Sequence, residues 1–263
     1  MKRQSRLDYA FAVGRIRVLE RKLITREVFT QATEEKDFPQ AIKIIFDAGE
    51  FKDEMVNLRT SDELDNFLHQ EEEDLSLLMN ELLLEEELKN IIEREVQPDE
   101  ALTLANKNKL DYRFIINYLK HKIDLVNLKI LCRAKYLGLP VQKIDNLLLG
   151  GGYLDKKLLA SSYELSYPEI GDKISFSAYF DLWSRSTSVL QEKETFIELE
   201  RSIEDFLMLF LRQAKYVVFG PEPIFAYIQA KRRELSLVRL VGIGKLIQIP
   251  GEILKKRISE TYV

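Results

Sequence analysis

The 263-residue chain has little of the residue types on which covalent cross-linking and acid–base catalysis depend. It contains one cysteine and two histidines. Because Cys132 has no second cysteine to pair with, the chain cannot form an internal disulfide. This argues against an oxidising, secreted setting and favours a reduced, cytosolic face.

Sequence signals for nucleotide or metal chemistry are also missing. No Gly-x-x-x-x-Gly-Lys-Ser/Thr segment occurs, and the glycine triplet 150–152 has no nearby Lys-Ser/Thr pair, so we expect an inter-lobe turn there. His69 precedes three glutamates at 71–73, but a di-iron bundle needs Glu-x-x-His pairs on separate helices. A helical hydrolase using Glu71 and Glu72 remains an enzymatic alternative. We expect no catalytic residue, no metal site and no cofactor.

Long apolar runs are absent as well. No stretch reaches the roughly 18 uninterrupted apolar residues that a bilayer span requires. The apolar stretch at 10–13 ends at Arg15, which is too short for the core of a signal peptide. We therefore expect no export signal and no direct membrane insertion, so that any membrane association is peripheral and depends on a partner.

Charge is distributed unevenly along the chain, although the net charge is only −4. Residues 61–100 contain 15 acidic and two basic residues, whereas residues 211–263 contain ten basic and four acidic residues. Such segments are either solvated helix faces or docking surfaces for oppositely charged subunits. The basic region lacks the dense Lys/Arg runs of a nucleic-acid groove, so we expect no nucleic-acid partner.

Apolar residues recur at helical spacing through most of the chain, and prolines and most glycines lie between such stretches. No alternating runs bounded by hairpin turns suggest strands. The pattern predicts an all-α fold. The predicted helices span residues 5–25, 27–33, 38–46, 61–79, 81–95, 98–107, 111–136, 141–149, 155–160, 175–187, 195–216, 224–246 and 251–258.

The middle of the chain resembles its end when the two are aligned at a constant offset of 110 residues. The offset pairs Asp124 with Glu234 and Pro140 with Pro250, without a gap. The other matched positions are Lys122 with Arg232, Leu125 with Leu235, Leu128 with Val238, Lys129 with Arg239, Leu131 with Val241, Lys135 with Lys245 and Ile144 with Leu254. A register shared by a long helix, its proline turn and a short helix indicates a duplicated helical lobe. The first third could be a third, more diverged copy.

Several motifs in the second half resemble the C subunit of V-type and A-type rotary ATPases, which is called the d subunit in eukaryotes. They are Glu200, Phe206, Leu207, Ala214 and Lys215; the FGPEP segment at 219–223; Tyr227, Ala230, Lys231, Glu234 and Arg239; Pro250, Glu252, Ile253, Arg257 and Ile258; and the DLVNLK segment at 124–129. They are co-linear and extend over about 111–262. The earlier part of the chain matches the family less well.

The resemblance implies a funnel-like, all-helical body of two or three related hairpin lobes with pseudo-threefold arrangement. We expect one such domain over 1–263, with sub-lobes at about 1–108, 109–172 and 173–263. It would be a non-catalytic central-stalk subunit on the cytoplasmic side of a membrane, coupling the central-shaft subunits to the proteolipid ring. The transported ion would be a proton or sodium, linked to ATP hydrolysis or synthesis.

Charge and the internal repeat suggest which side chains meet partners. The predicted partner-binding residues are Lys122, Lys129, Glu222, Lys231, Arg232, Arg239 and Lys245. For each of them an ion pair within the chain is an equally open interpretation. A different class of function is also open: a helical repeat scaffold or adaptor that binds a partner unrelated to an ATPase.

Overall fold

The computed structural model describes residues 5–95, 97–108 and 112–263, and within these ranges the chain is helical with no β-strand. The all-α prediction is confirmed. The α-helices are α1 Ala10–Glu20, α2 Arg26–Glu34, α3 Phe38–Ala48, α4 Ser61–Leu82, α5 Glu86–Glu93, α6 Pro98–Lys107, α7 Arg113–Tyr136, α8 Val141–Leu147, α9 Lys156–Ser161, α10 Tyr167–Lys173, α11 Phe180–Lys193, α12 Ile197–Leu211, α13 Glu222–Leu246 and α14 Gly251–Arg257. Short 3-10 helices lie at Arg6–Tyr9, Asp53–Asn57 and Arg212–Tyr216.

Capping residues account for where several helices begin. At the start of α4 the Thr60 hydroxyl accepts the Glu63 N–H, and the Glu63 carboxylate accepts the Thr60 N–H. The same reciprocal arrangement joins Ser166 and Glu169 at the start of α10, with Pro168 in the first turn. Helical periodicity did not predict α10, because the helix is only seven residues long. The Ser-x-Pro-Glu cap is the signal that identifies it.

Other boundaries differ from the predicted ones for local reasons. The predicted helix 175–187 begins later, at Phe180, and continues to Lys193, where Glu194 adopts a left-handed conformation with φ of 49°. The predicted helix 5–25 divides into a 3-10 turn and α1. The predicted start at Asp111 lies outside the described residues.

The two long helices end in the same way, 110 residues apart. After α7, Gly138 takes φ of 63°, and the Leu139 N–H reaches back to the Ala134 carbonyl. After α13, Gln248 takes φ of 58°, and the Ile249 N–H reaches the Gly244 carbonyl. A left-handed residue with a six-to-one backbone bond is the Schellman ending. Pro140 and Pro250 then precede α8 and α14, whose bounds are also 110 residues apart.

The chain divides into two compact units, residues 1–89 with 208–263, and residues 90–207. In the first unit α13 packs against α4, α3 and α1, and α2 packs against α3 and α14. Its core is apolar and includes Phe29, Ile42, Ile45, Leu64 and Val241, none more than 1% exposed. In the second unit α6 packs against α7 and α10 against α11, with Trp183 fully buried.

The three predicted sub-lobes are not the same division as these two units, and they remain a prediction. The first predicted boundary falls beside residues 109–111, which lie outside the described part of the chain. Among the described helices, none combines the length and apolar character that a bilayer crossing needs.

Candidate functional site

Helix α4, from the acidic region, packs against α13, from the basic region, inside the first unit. Arg239 of α13 donates two hydrogen bonds to the carboxylate of Asp65 on α4, at 2.8 and 3.0 Å. Between the same two helices, Arg232 of α13 lies 3.7 Å from the carboxylate of Glu72 on α4. The Arg239 hydrogen bonds lower the pKa of Asp65 below its usual range. The opposite charges of the two regions are therefore partly satisfied within the chain.

Lys231 lies on the buried side of α13 and is 8% exposed. Its ammonium donates to Glu234 at 2.6 Å and lies 4.2 Å from the centre of the Phe51 ring. Glu234, also buried, accepts the backbone N–H of Ile24 at 2.6 Å. A buried charge pair with a further hydrogen bond and a cation–π contact fixes the residues before α2 against α13.

A cavity of about 150 Å³ lies beside this pair, lined by both charged and apolar side chains. Its wall includes Glu71, which is 9% exposed, and the phenol of Tyr227. Burial raises the pKa of Glu71 above its ordinary value, although the nearby Lys231 and Lys52 oppose the shift. Burial also raises the pKa of Tyr227. Glu71, which an enzymatic interpretation would use, is thus packed into the α4–α13 interface.

Glu222 and Lys245 lie at opposite ends of α13 and both bind their own chain. The Glu222 carboxylate is 5% exposed and accepts two hydrogen bonds from Arg6, at 2.7 and 3.0 Å. Gly220 before it has φ of 119°, a conformation that glycine adopts without strain. The Lys245 ammonium donates to the backbone carbonyls of Thr33 and Glu35, at 2.7 and 2.5 Å. It therefore caps the C-terminal end of α2.

In the second unit, Lys122 and Lys129 lie on α7. Lys122 forms an ion pair with the buried Glu95. Lys129 lies 3.6 Å from Glu200, which also pairs with Arg133. Of the seven predicted partner-binding side chains, Lys129 and Arg239 are among the more exposed, at 39% and 59%. The structure gives each of the seven a partner within the chain, and their role toward other subunits remains a prediction.

A buried polar network around Asp124 was not among the predicted sites. Asp124 is fully buried and accepts the backbone N–H groups of Tyr153 and Leu154, at 2.9 and 3.0 Å, and the Tyr179 hydroxyl at 2.9 Å. Nδ1 of His121 lies 2.7 Å from the Tyr179 oxygen. Since the tyrosine proton goes to Asp124, Nδ1 is the donor in this contact. Burial raises the pKa of Asp124 and lowers that of His121.

The internal repeat was the sequence signal for this network. Asp124 and Glu234, which the 110-residue offset pairs, each accept backbone N–H groups, from Leu154 and from Ile24 respectively. Lys135 and Lys245, also paired by the offset, each donate to backbone carbonyls, Lys135 to that of Tyr163 at 3.0 Å. Side chains paired by the offset therefore make the same kind of backbone contact in each unit, with partners that the offset does not pair.

The described residues hold no group of three or more histidine, cysteine, aspartate or glutamate side chains arranged to bind a metal ion. Cys132 is buried, and burial raises the pKa of its thiol to about 12, so it is a poor nucleophile at neutral pH. The charged residues of the candidate site form ion pairs and backbone caps. Their geometry positions helices relative to one another within each unit.

Residues 53–257 match the model of the ATP synthase (C/AC39) subunit family. The chain is 26% identical over 158 residues to the C subunit of the V-type sodium ATPase of Enterococcus hirae, covering 59% of this chain and 46% of that protein. It is 30% identical over 129 residues to the C subunit of the A-type ATP synthase of Haloferax volcanii, covering 49% and 37%. For the C subunit of the A-type ATP synthase of Methanococcoides burtonii the identity is 25% over 160 residues, covering 60% and 44%. The chain thus spans less than half the length of these curated relatives.

Proposed function

Because the chain belongs to the ATP synthase (C/AC39) subunit family, we propose that it is a non-catalytic central-stalk subunit of a V-type or A-type rotary ATPase. It couples the rotating shaft to the membrane proteolipid ring, so that proton or sodium transport is linked to ATP hydrolysis or synthesis. The family match over residues 53–257 carries the proposal.

The packing within each unit is consistent with a part that transmits force. Helices close-packed at crystal-like density deform little under load. In the first unit, α13 is held along its length, by Arg6 near its start, by Asp65 beyond its middle and by backbone carbonyls of 33 and 35 at its end. A long helix fixed at three points suits a protein whose task is to pass torque between two partners.

The proposal includes repeated lobes that form a funnel-like body with pseudo-threefold arrangement, peripheral to the cytoplasmic side of the membrane. At the 110-residue offset the two long helices end at matching residues and the two short helices that follow have equal bounds, which supports the repetition. Among the predicted partner-binding residues, Lys129 and Arg239 are the best supported as contacts to another subunit. Arg239 is exposed and Lys129 is partly exposed, the repeat pairs them, and each contacts a carboxylate that is itself partly exposed.

Binding to two partners tests the function. The purified chain is passed over a size-exclusion column with reconstituted central-shaft subunits, and separately with detergent-solubilised proteolipid ring, in moderate salt. Co-elution with both supports the coupling role. Binding to neither, by a chain that is folded and helical by circular dichroism, would contradict it and favour a helical adaptor.

The site residues are tested in the same assay with the double variant Lys129→Glu/Arg239→Glu. We expect weaker co-elution with at least one partner and retained helicity. The control is Lys143→Glu/Lys256→Glu, which makes the same charge change at two other exposed lysines. Equal binding by both double variants would remove Lys129 and Arg239 from the interface.

A further inference from the structure

The cavity of about 150 Å³ beside the Lys231–Glu234 pair has two buried polar side chains in its wall that bond to nothing else in the described chain. Glu71 is 9% exposed and Tyr227 is 6% exposed. Among the described residues, none forms a hydrogen bond with the Glu71 carboxylate or with the Tyr227 hydroxyl. Because buried polar groups nearly always have a hydrogen-bond partner, these two oxygens indicate a binding site for a polar ligand or for water.

The charges around the cavity leave one carboxylate without a counter-ion. Every other charged side chain of the wall has an ion-pair partner at 2.6 Å: Lys22 pairs with Glu50, Lys52 with Asp74 and Lys231 with Glu234. Lys231 and Lys52 lower the pKa of Glu71 without forming an ion pair with it, and burial raises that pKa by more. Once the three ion pairs cancel, the ionised Glu71 gives the wall a net negative charge. The cavity therefore favours a positively charged ligand.

The size and polarity of the cavity suit a small organic cation. A volume of about 150 Å³ accommodates a molecule as large as benzene. The apolar part of the wall is formed by Leu19, Leu23, Leu75 and Leu78. Among the described residues, no group of three or more histidine, cysteine, aspartate or glutamate side chains could hold a metal ion here. The ligand should therefore combine hydrogen-bond donors with apolar surface.

Guanidinium is the cation that best matches these groups. It is planar and less strongly hydrated than an ammonium group, so it loses less hydration energy when it is buried. Its parallel N–H groups donate to both oxygens of one carboxylate, here that of Glu71. A remaining N–H can donate to the Tyr227 oxygen, and the flat faces of the ion can pack on the leucine side chains.

We propose that this cavity binds a guanidinium cation, with Glu71 as its counter-ion and Tyr227 as a second hydrogen-bond partner. The cation is either a free small molecule or the head of an arginine side chain of another protein, since both present the same chemistry. Lys231 keeps its bond to Glu234 when the cation binds. The cavity lies wholly within the first unit, so the inference is independent of the proposed function.

The first test uses the full chain and methylguanidinium chloride as the probe. Saturation-transfer NMR of the probe's methyl protons should show binding that reaches a plateau as the probe is titrated. N-methylurea, which is neutral and has nearly the same shape, is the matched probe and should bind much more weakly. No transfer to methylguanidinium, as expected if the cavity takes only water, would overturn the proposal, and so would equal binding of the two probes. This comparison needs no substitution, so it holds even where a variant does not fold.

Two variants locate the bound probe. Glu71→Gln keeps the size of the side chain and removes its charge, so we expect it to weaken methylguanidinium binding by about tenfold or more. Tyr227→Phe removes one hydroxyl and should weaken binding by about threefold. Glu73→Gln is the matched control, because Glu73 lies on the same helix with its side chain 65% exposed, and it should bind as the parent does. Parent-like binding by a helical Glu71→Gln variant would place the probe elsewhere and overturn the proposal.

A capped tripeptide, acetyl-Gly-Arg-Gly-amide, distinguishes the two sources of the cation. Displacement of methylguanidinium by this peptide, and not by the same peptide with citrulline in place of arginine, supports an arginine side chain of another protein. Failure of the arginine peptide to displace a probe that binds supports a free small cation. Equal displacement by sodium chloride or potassium chloride at the same ionic strength would show non-specific attraction and would overturn the assignment to guanidinium.

Discussion

The backbone of Gly152 lies directly against the carboxylate of Asp124, so that a β-carbon at position 152 would overlap the Asp124 side chain. The approach lets the carboxylate reach the next two backbone N–H groups, of Tyr153 and Leu154. Gly151 before it has φ of 98°. The glycine triplet is therefore a tight turn closed on a buried carboxylate.

We predict that Gly152→Ala destabilises the protein by roughly 1–3 kcal/mol or more, as overpacking does, because Asp124 must move and lose hydrogen bonds. Urea unfolding followed by circular dichroism measures the change. Gly150→Ala is the matched control, since a β-carbon there meets nothing within 4 Å. An equal effect of the two substitutions would mean that the contact with Asp124 does not set the requirement for glycine.

The paired endings of the long helices give a second prediction. Gly138 and Gln248 occupy the same left-handed position, with φ of 63° and 58°. A side chain in this conformation costs about 1 kcal/mol or more. We expect Gly138→Gln to destabilise the chain by about that amount and Gln248→Gly to be neutral or stabilising, although glycine also gains entropy on unfolding. The midpoint of thermal unfolding of each variant measures the change in stability. Destabilisation by Gln248→Gly would contradict the prediction.

A pH dependence follows from the burial of Glu71. Its pKa in the folded chain is raised above the ordinary value of 4.5, so the folded state binds the proton more tightly than the unfolded state. The contribution of Glu71 to stability is therefore most favourable below pH 4.5 and is lost as the pH rises through the folded pKa. Lys231 and Lys52 reduce this effect, while Asp74 and Glu234 add to it.

Glu71→Gln should raise the unfolding midpoint relative to the parent at neutral pH and should leave it nearly unchanged well below pH 4.5. The measurement is a pH series of thermal unfolding curves. Glu73→Gln, on the same helix with its side chain 65% exposed, serves as the control for removing a carboxylate from α4. A Glu71→Gln difference that is constant with pH would indicate a packing effect instead of titration.

The buried pair Lys231–Glu234 gives a fourth prediction. Removing one member leaves an uncompensated buried charge, so we expect Lys231→Met to cost roughly 3–5 kcal/mol. Lys231→Met/Glu234→Gln should cost less than Lys231→Met alone, because the glutamine oxygen can still accept the Ile24 N–H. Arg232→Met, at the neighbouring and more exposed position, should cost at most about 1 kcal/mol. Chemical unfolding measures all three. A double variant less stable than Lys231→Met would contradict the prediction.

The sequence predicted helix bounds closely where prolines mark the ends of helices. The proline-bounded helices were predicted at 224–246 and 251–258, and α13 and α14 span Glu222–Leu246 and Gly251–Arg257. Periodicity failed for α10 because two turns of helix contain too few apolar residues to establish a period. The α10 cap, in contrast, is a local hydrogen-bond motif that is visible in four residues.

Which helix faces which could not be predicted from the sequence. The acidic and basic regions were recognised from composition, but composition does not tell a pairing within the chain from a pairing with another protein. Asp65 and Arg239 are 174 residues apart, and only the packing of α4 on α13 brings them together. Arg6, which holds Glu222, was missed for the same reason.

The first unit is built from both ends of the chain, residues 1–89 and 208–263, with the second unit inserted between them. During synthesis, α4 therefore emerges long before α13, and the part of its apolar face that packs on α13 stays uncovered until more than a hundred further residues have been added. The inserted unit, continuous in sequence, has its segments available earlier. At a ribosomal rate of about 5–20 residues per second, the delay lasts several seconds or more. During that interval the growing chain exposes the face that α13 later covers, which is a window in which chaperone binding or premature association competes with folding.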